Sequence, residues 1–256
     1  MRAEANHCKR TSPAKVYVVT MVVEAVIFDW GGTLSEFVSL EMIDVWTLAA
    51  HHLAPTPERE AEVTARLVAV EERFWERTTG SCESGTLADL IAEASDELGL
   101  DVAEAVLEEA ALGHLDAWTP HIRHKDDACA TLRALAERGL RIALLSNTHW
   151  PRSFHEHFLE RDGLAPFIEA RLYSSEMTHL KPHPSVFEAT MAAVGVRDPT
   201  RAVFVGDRLY DDIWGSQQVG MRGVHVANDH APAWEVEPDA VINSLAELPA
   251  IIDGWA

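Results

Sequence analysis

Residues 22–34 read VVEAVIFDWGGTL, a mostly apolar run that ends in an aspartate followed closely by two glycines. The apolar run is typical of a buried strand, and Asp29 stands directly at its end. In open α/β sheets, ligands bind beyond the carboxyl ends of the strands, so a carboxylate at this point is well placed for chemistry. An aspartate can also simply stabilise the turn at Gly31 and Gly32 with its side chain. Taken alone, this stretch leaves both interpretations open.

The composition limits the class of protein. The chain has 256 residues, 47% of them hydrophobic and 24% charged, which fits one large globular domain or two modest ones. A formal net charge of −20 argues against a nucleic-acid or membrane partner, and an anionic substrate would need local cations or a metal. The three cysteines show no CxxC spacing, so we expect a cytoplasmic protein without a disulfide framework or a zinc site.

The sequence pattern divides the chain into three parts. Residues 1–20 are polar and mildly basic, and we expect a disordered extension without a signal peptide or membrane span. Residues 35–118 keep helical spacing of apolar side chains and predict an all-helical cap domain. Residues 21–34 and 119–256 contain strands that alternate with helices. The predicted fold class is therefore α/β, a Rossmann-like core with a parallel sheet and an inserted helical domain.

Polar groups follow three of the predicted strands: Asp29, Ser146 and Asp207. Because the carboxyl ends of parallel strands meet at one edge of a sheet, we expect these side chains to converge. Lys181, one of four lysines in the chain, lies in a proline-framed loop and could join them. A carboxylate such as Asp29 can attack phosphorus or carbon, and Asp207 could share Mg²⁺ with it. Ser146 and Lys181 would then hold the group being transferred.

Four motifs occur in a fixed order along the chain: FDWGGTL, LLSN, a KPHP loop and VGDRLYDDI. In this order they resemble the motifs of the haloacid dehalogenase superfamily of hydrolases, and the helical insertion is similar to the mobile cap of its first cap class (C1, subfamily I). The resemblance covers the chain from residue 22 to the C terminus. It implies a small phosphorylated or otherwise anionic metabolite as substrate, and it leaves the oligomeric state open.

The resemblance also assigns roles to individual residues. It implies that Asp29 is the nucleophile, that Ser146 binds the phosphate and that Lys181 steadies both. The implied Mg²⁺ ligands are Asp29, the backbone carbonyl of Gly31, Asp207 and Asp212, with Asp211 as the alternative to Asp212. The further substrate-binding positions are Gly32, Thr33 and Asn147.

Gly31 departs from the pattern of the family's phosphatases. Those enzymes usually carry a second aspartate there, which protonates the leaving alcohol and later activates water. General acid–base catalysis contributes roughly 100- to 10,000-fold, so ordinary phosphomonoester hydrolysis should be impaired unless another group serves. A histidine of the helical insertion (His51, His52 or His114) could be that group, or the leaving group could need no proton.

Three other readings follow from the missing aspartate. A 2-haloacid dehalogenase releases halide unprotonated; Arg59 is suitably placed for such an enzyme, but Gly31 stands where its aromatic residue is expected. A phosphonate hydrolase needs a Schiff-base lysine in the cap, and no lysine occurs between Leu34 and His124. A binding or regulatory protein could have kept the fold and lost turnover. The favoured prediction is a Mg²⁺-dependent phosphatase acting on a small phosphorylated metabolite through an aspartyl-phosphate.

Overall fold

The computed structural model describes residues 22–255, so the extension predicted at 1–20 lies outside them. The strands are β1 (Ala25–Phe28), β2 (Arg141–Ser146), β3 (Ala170–Tyr173), β4 (Ala202–Gly206), β5 (Arg222–Val226) and β6 (Ala240–Ile242). They form one parallel sheet in the order β3-β2-β1-β4-β5-β6. The chain leaves β1 for β2 on one side and later returns to β4 on the other. Such a reversal of strand order creates a crevice at the carboxyl ends of the central strands.

The strand β1 has the sequence of an element covered on both faces. All four of its residues, AVIF, are buried. Alternate side chains point to opposite faces, so Val26 and Phe28 join the core on one side and Ala25 and Ile27 join the core on the other. Two apolar layers on one sheet require helices on both faces.

The register of the sheet brings the strand ends level. Phe28 is paired with Leu144 of β2 and with Val205 of β4. The Asp29 backbone N–H then donates to the Val205 carbonyl oxygen at 2.9 Å. The residues that follow β1 and β4 therefore emerge side by side at one edge of the sheet.

The long connection between β1 and β2 is helical. It contains α1 (Met42–Leu53), α2 (Glu60–Ser81), α3 (Leu87–Glu97) and α4 (Glu104–Trp118), with no named strand among them in the described part of the chain. A capping box begins α3, where Thr86 and Asp89 satisfy each other's backbone N–H groups. We refer to residues 35–118 as the helical insertion. Four helices agree with the apolar spacing of the sequence.

The helical insertion is attached to the sheet domain by its two connections and also by the segment between α2 and α3. Its incoming and outgoing connections lie side by side, joined by an antiparallel bridge between Ser35 and His124. At the other end, the loop after α2 runs along the loop that carries Lys181. There the Leu180 N–H donates to the Cys82 carbonyl and the Ser84 N–H donates to the Thr178 carbonyl, both at 3.0 Å.

The remaining helices cover the sheet. They are α5 (Ala128–Glu137), α6 (Arg152–Arg161), α7 (Pro184–Ala193), α8 (Gly215–Gln218) and α9 (Leu248–Gly254). The predicted fold class, a Rossmann-like α/β core with an inserted helical segment, is confirmed. Within residues 22–255, no helix combines the length and the apolar composition needed to cross a membrane.

Candidate active site

The polar residues at the strand ends converge on one cavity. Asp29 follows β1, Ser146 ends β2 and Asp207 follows β4, and all three are buried side chains. Together with Lys181 they line a cavity of about 310 Å³ between the sheet edge and the helical insertion. The structure thus brings together the four residues that sequence reasoning singled out for chemistry.

Two glycines allow the carboxylates of Asp207 and Asp212 to pack directly against the backbone. Gly32 has φ +74°, and a Cβ there would lie 2.4 Å from an Asp207 carboxylate oxygen. A Cβ on Gly206 would lie 2.3 Å from the carboxylate carbon of Asp212. Neither position admits a larger residue without displacing a carboxylate, so both glycines are required by the packing of the site.

Lys181 is the central cation of the site. Its side chain is buried, and Nζ lies 2.6 Å from Asp29 Oδ1 and 2.6 Å from Asp212 Oδ1. The side-chain amide of Asn147 holds the Lys181 backbone from both sides: it donates to the carbonyl oxygen at 2.9 Å and accepts from the N–H at 2.7 Å. Asn147 therefore positions the lysine, although it also borders the cavity.

Burial dominates the electrostatics of the carboxylates. It raises the pKa of Asp29 to about 7; Lys181 acts in the opposite direction, while Asp212 and Asp207 add to the rise. Burial and the charge of Asp212 also raise the pKa of Asp207. For Lys181 burial would lower the pKa, but the carboxylates of Asp212 and Asp29 raise it above its usual value. The ammonium is therefore charged at neutral pH.

The acidic residues form a donor set that suits a hard divalent cation. One oxygen from each of Asp29, Asp207 and Asp212 can be chosen so that the three lie within 4.8 Å of one another. When all are ionised, these carboxylates outnumber the single ammonium of Lys181, so a cation would relieve their repulsion. Carboxylate oxygens are the ligands that Mg²⁺ prefers in proteins.

Neighbouring groups orient these carboxylates. The Asn228 amide donates to Asp207 Oδ2 at 2.7 Å, and the Arg208 backbone N–H donates to Asp212 Oδ2 at 2.9 Å. Thr33 is buried behind the cavity lining, with its hydroxyl 3.5 Å from Asp207 Oδ1. Asp211 borders the cavity without contacting Lys181, and burial followed by the charge of Asp212 raises its pKa to about 6. Asp212 is thus distinguished from Asp211 by its contact with Lys181.

The walls of the cavity are aromatic. Four of the eight tryptophans line it: Trp30, Trp75, Trp118 and Trp150. The ring of Trp30 is fixed because its N–H donates to His124 Nε2 at 3.0 Å, and His124 Nδ1 donates in turn to Asp162 at 2.7 Å. Nothing in the sequence pattern marks these tryptophans as lining a cavity.

Several further polar residues of the cavity were also missed, among them His149 and Glu71. His149 comes three residues after Ser146, and Glu71 lies on α2. Both are buried, with His149 Nε2 3.7 Å from Glu71 Oε1. The one available signal was the position of His149 just beyond a strand end; Glu71 is indistinguishable in sequence from the solvent-facing charges of an amphipathic helix.

The proposed substitutes for an acid at Gly31 lie elsewhere. His51 pairs with Glu60 at 3.1 Å on an exposed part of α1, and His52 faces Glu109 at 3.6 Å. His114 is fully buried against Trp46, with ring centroids 3.9 Å apart. None of these three histidines lines the cavity. Arg59 is likewise outside the lining and pairs with Glu62 at 2.9 Å.

This chain is similar to known proteins in sequence and in fold. The family model of haloacid dehalogenase-like hydrolases matches residues 23–220. A glyceraldehyde 3-phosphate phosphatase of Methanopyrus kandleri is 26% identical over 163 residues, covering 59% of this chain and 69% of that protein. The glyceraldehyde 3-phosphate phosphatase of Pyrococcus furiosus is 30% identical over 137 residues, covering 52% of this chain and 56% of that protein. The chain thus spans little more than half the length of the second relative.

Solved structures share the same fold. A 2-haloacid dehalogenase from Pseudomonas syringae pv. Tomato DC3000 superimposes with a TM-score of 0.67 over 92% of this chain and all of that one, at 23% identity. The likeness is one of fold, since the sequences differ at most positions. The family match extends from β1 to the residues after α8 and includes every motif that forms the cavity floor. The chain belongs to the haloacid dehalogenase-like hydrolases.

Proposed function

We propose that this hydrolase is a Mg²⁺-dependent phosphatase that acts on a small phosphorylated metabolite through an aspartyl-phosphate. The observation that carries the proposal is the contact between Asp29 and the buried Lys181, 2.6 Å long, in the cavity at the carboxyl ends of the strands. The phosphatase names of the two relatives support it as well. We further propose residues 21–34 and 119–256 as the core domain, residues 35–118 as its cap, and a cytoplasmic location.

Asp29 would attack the phosphorus of the bound phosphate. Lys181 opposes the effect of burial on Asp29 and so favours the ionised carboxylate, which is the nucleophilic form. The bond from phosphorus to the leaving oxygen breaks, and the electron pair leaves with that oxygen. Water then attacks the phosphorus of the aspartyl-phosphate, the bond from phosphorus to the Asp29 oxygen breaks, and inorganic phosphate leaves while the Asp29 carboxylate is restored.

The other residues would hold the phosphate and the cation. The Ser146 hydroxyl and the Lys181 ammonium would bind phosphoryl oxygens, with the backbone at Gly32 and Thr33 alongside. Asp29, the Gly31 carbonyl, Asp207 and Asp212 would hold Mg²⁺. The metal would supply positive charge that offsets the negative charge of the phosphate.

The cavity favours phosphoryl transfer over dehalogenation. Displacement of halide by a carboxylate needs no metal, whereas this site contains a carboxylate cluster suited to one. The arginine that the dehalogenase reading required, Arg59, does not line the cavity. The likeness to the dehalogenase from Pseudomonas syringae concerns the fold alone.

The test is phosphate release from acetyl phosphate and 4-nitrophenyl phosphate, with and without Mg²⁺. We expect release in Mg²⁺ that is abolished by Asp29→Asn, since the amide is not a nucleophile. Asp116→Asn, an exposed aspartate on α4, is the matched control and should retain activity. Activity that survives Asp29→Asn would refute the nucleophile. Chloride release from a 2-haloacid without metal would favour the dehalogenase, and Mg²⁺ binding without turnover of either phosphate would favour a binding protein.

A further inference from the structure

Four of the residues that line the cavity are tryptophans, Trp30, Trp75, Trp118 and Trp150, and we call the space they border the aromatic chamber. The indoles approach one another edge to face or tilted, with centroids 5.1 Å apart for Trp118 and Trp150 and 6.2 Å for Trp30 and Trp150. These rings come from both sides of the cavity, two from the helical insertion and two from the sheet domain. A ligand attached to a phosphate at Asp29 would extend between them.

The chamber also contains buried nitrogens that have no hydrogen-bond partner among residues 22–255. These are Trp118 Nε1 and both ring nitrogens of His149, although His149 Nε2 lies 3.7 Å from Glu71 Oε1. His149 is 4% exposed. Burial lowers the pKa of His149 while Glu71 opposes this, so the neutral ring offers one donor and one acceptor. A buried polar group without a partner costs free energy, and a ligand that supplies the partner removes that cost.

The charge of the chamber does not call for a cationic ligand. Its buried carboxylate, Glu71, already accepts the Trp46 N–H at 2.6 Å and the Trp75 N–H at 3.4 Å. The unpartnered groups include N–H donors, and an ammonium group has no lone pair for them. A planar ring that carries an acceptor oxygen can pack against the tryptophan rings and accept a hydrogen bond from the unpartnered N–H donors.

On the basis of the phosphatase function above, we propose that the aromatic chamber binds the leaving group of the substrate, and that the substrate is an aromatic phosphate ester whose ring bears a hydrogen-bond acceptor. This chemistry also suits Gly31. A phenol departs more readily as an anion than an aliphatic alcohol does, so an aryl phosphate depends less on the proton donor that position 31 does not provide.

The test uses non-hydrolysable phosphonates, so that binding is measured without turnover. Benzylphosphonate has the shape of phenyl phosphate with a methylene in place of the ester oxygen, and cyclohexylmethylphosphonate is its non-aromatic counterpart. In Mg²⁺, isothermal titration calorimetry should show roughly 2- to 12-fold tighter binding of the aromatic compound, the range expected for one aromatic contact. The best of the three ring isomers of acetylbenzylphosphonate should exceed its isopropyl analogue by a similar factor of about 2 to 12.

Two tryptophan variants test whether the preference for the aromatic phosphonate arises in the aromatic chamber. Trp118→Leu removes a chamber wall whose N–H has no hydrogen-bond partner in the described part of the chain, and it should reduce the preference for the aromatic phosphonate. Trp234→Leu removes an exposed tryptophan outside the cavity lining and should leave the preference unchanged. Circular dichroism checks that both variants are folded.

The possible failures are distinguishable. Equal affinity for both phosphonates, or a preference that survives Trp118→Leu, would overturn the chamber assignment even if acetyl phosphate is hydrolysed. Tighter binding of an ammonioethylphosphonate than of benzylphosphonate would also overturn it. If the aromatic preference is present but no phosphate is ever released, the chamber stands and the phosphatase function fails.

Discussion

Replacing Gly31 by aspartate should convert the protein into a better phosphatase for aliphatic esters. The backbone at Gly31 has φ −72° and ψ 126°, an extended conformation open to any L-residue. A Cβ at this position meets nothing within 4 Å, and the residue borders the cavity. The structure therefore accepts the new side chain without strain, and its carboxyl group enters the site.

The size of the gain follows from two opposing effects. A positioned general acid contributes roughly 100- to 10,000-fold, equivalent to ~3–5 kcal/mol of barrier. Three buried carboxylates, Asp29, Asp207 and Asp212, already occupy the site. A fourth adds repulsion, but the same repulsion raises its pKa and keeps it protonated as a donor. We expect a gain at the lower end of the range, about 100-fold in kcat/KM for alkyl phosphates.

The assay is a series of phosphate monoesters with leaving groups of graded pKa. The wild-type rate should fall steeply as the leaving-group pKa rises, and Gly31→Asp should flatten that dependence with little change for 4-nitrophenyl phosphate. Gly31→Asn has the same shape without an acidic proton and should give no gain. Two results would refute the idea that the missing acid at position 31 limits the rate. One is a wild-type rate that is already insensitive to the leaving-group pKa, and the other is an equal gain for every ester.

Three other outcomes follow from the buried charges. Lys181→Met leaves two carboxylates buried without their cation, so it should lower the free energy of unfolding by ~3–5 kcal/mol in urea titrations without added metal. Adding Asp212→Asn to this variant should restore part of the lost stability. At a Mg²⁺ concentration ten times its dissociation constant, the ion should stabilise the wild type and the control Asp116→Asn by ~1.4 kcal/mol in thermal melts. Stabilisation of equal size in Asp207→Asn would exclude that residue as a ligand. Burial lowers the pKa of His155 to about 3, with nearby charged groups adding to the effect; stability from this residue is therefore complete above pH 6.5 and is lost towards pH 3 at ~1.4 kcal/mol per pH unit. His155→Gln should lose less stability than the wild type between pH 6.5 and 4.5, and parallel losses would contradict this.

The strand-end residues were predictable because the rule behind them is local. An apolar run followed by a polar residue marks Asp29, Ser146 and Asp207, and the parallel sheet then brings them together whatever lies between. The order of the strands and the register that makes Phe28 level with Leu144 and Val205 could not be derived from the residues alone.

Other features depend on contacts between distant segments. That Lys181 is buried with two carboxylates, and that Asp212 rather than Asp211 contacts it, follows from the turn after β4 and has no counterpart in sequence spacing. The aromatic chamber was unpredictable for the same reason. Trp75 and Trp118 sit on different helices at positions that a helical pattern assigns to an ordinary core.

The second attachment of the helical insertion affects how a substrate could enter. The backbone bonds from Leu180 to Cys82 and from Ser84 to Thr178 tie the insertion to the loop that positions Lys181. If the insertion swung away about its connections at Ser35 and His124, these bonds would have to break, and the loop would keep the hydrogen bonds from Asn147 but lose those from the insertion. Access to the cavity and the placement of its cation are therefore mechanically linked, so an open molecule would be poorly prepared to react until it closed.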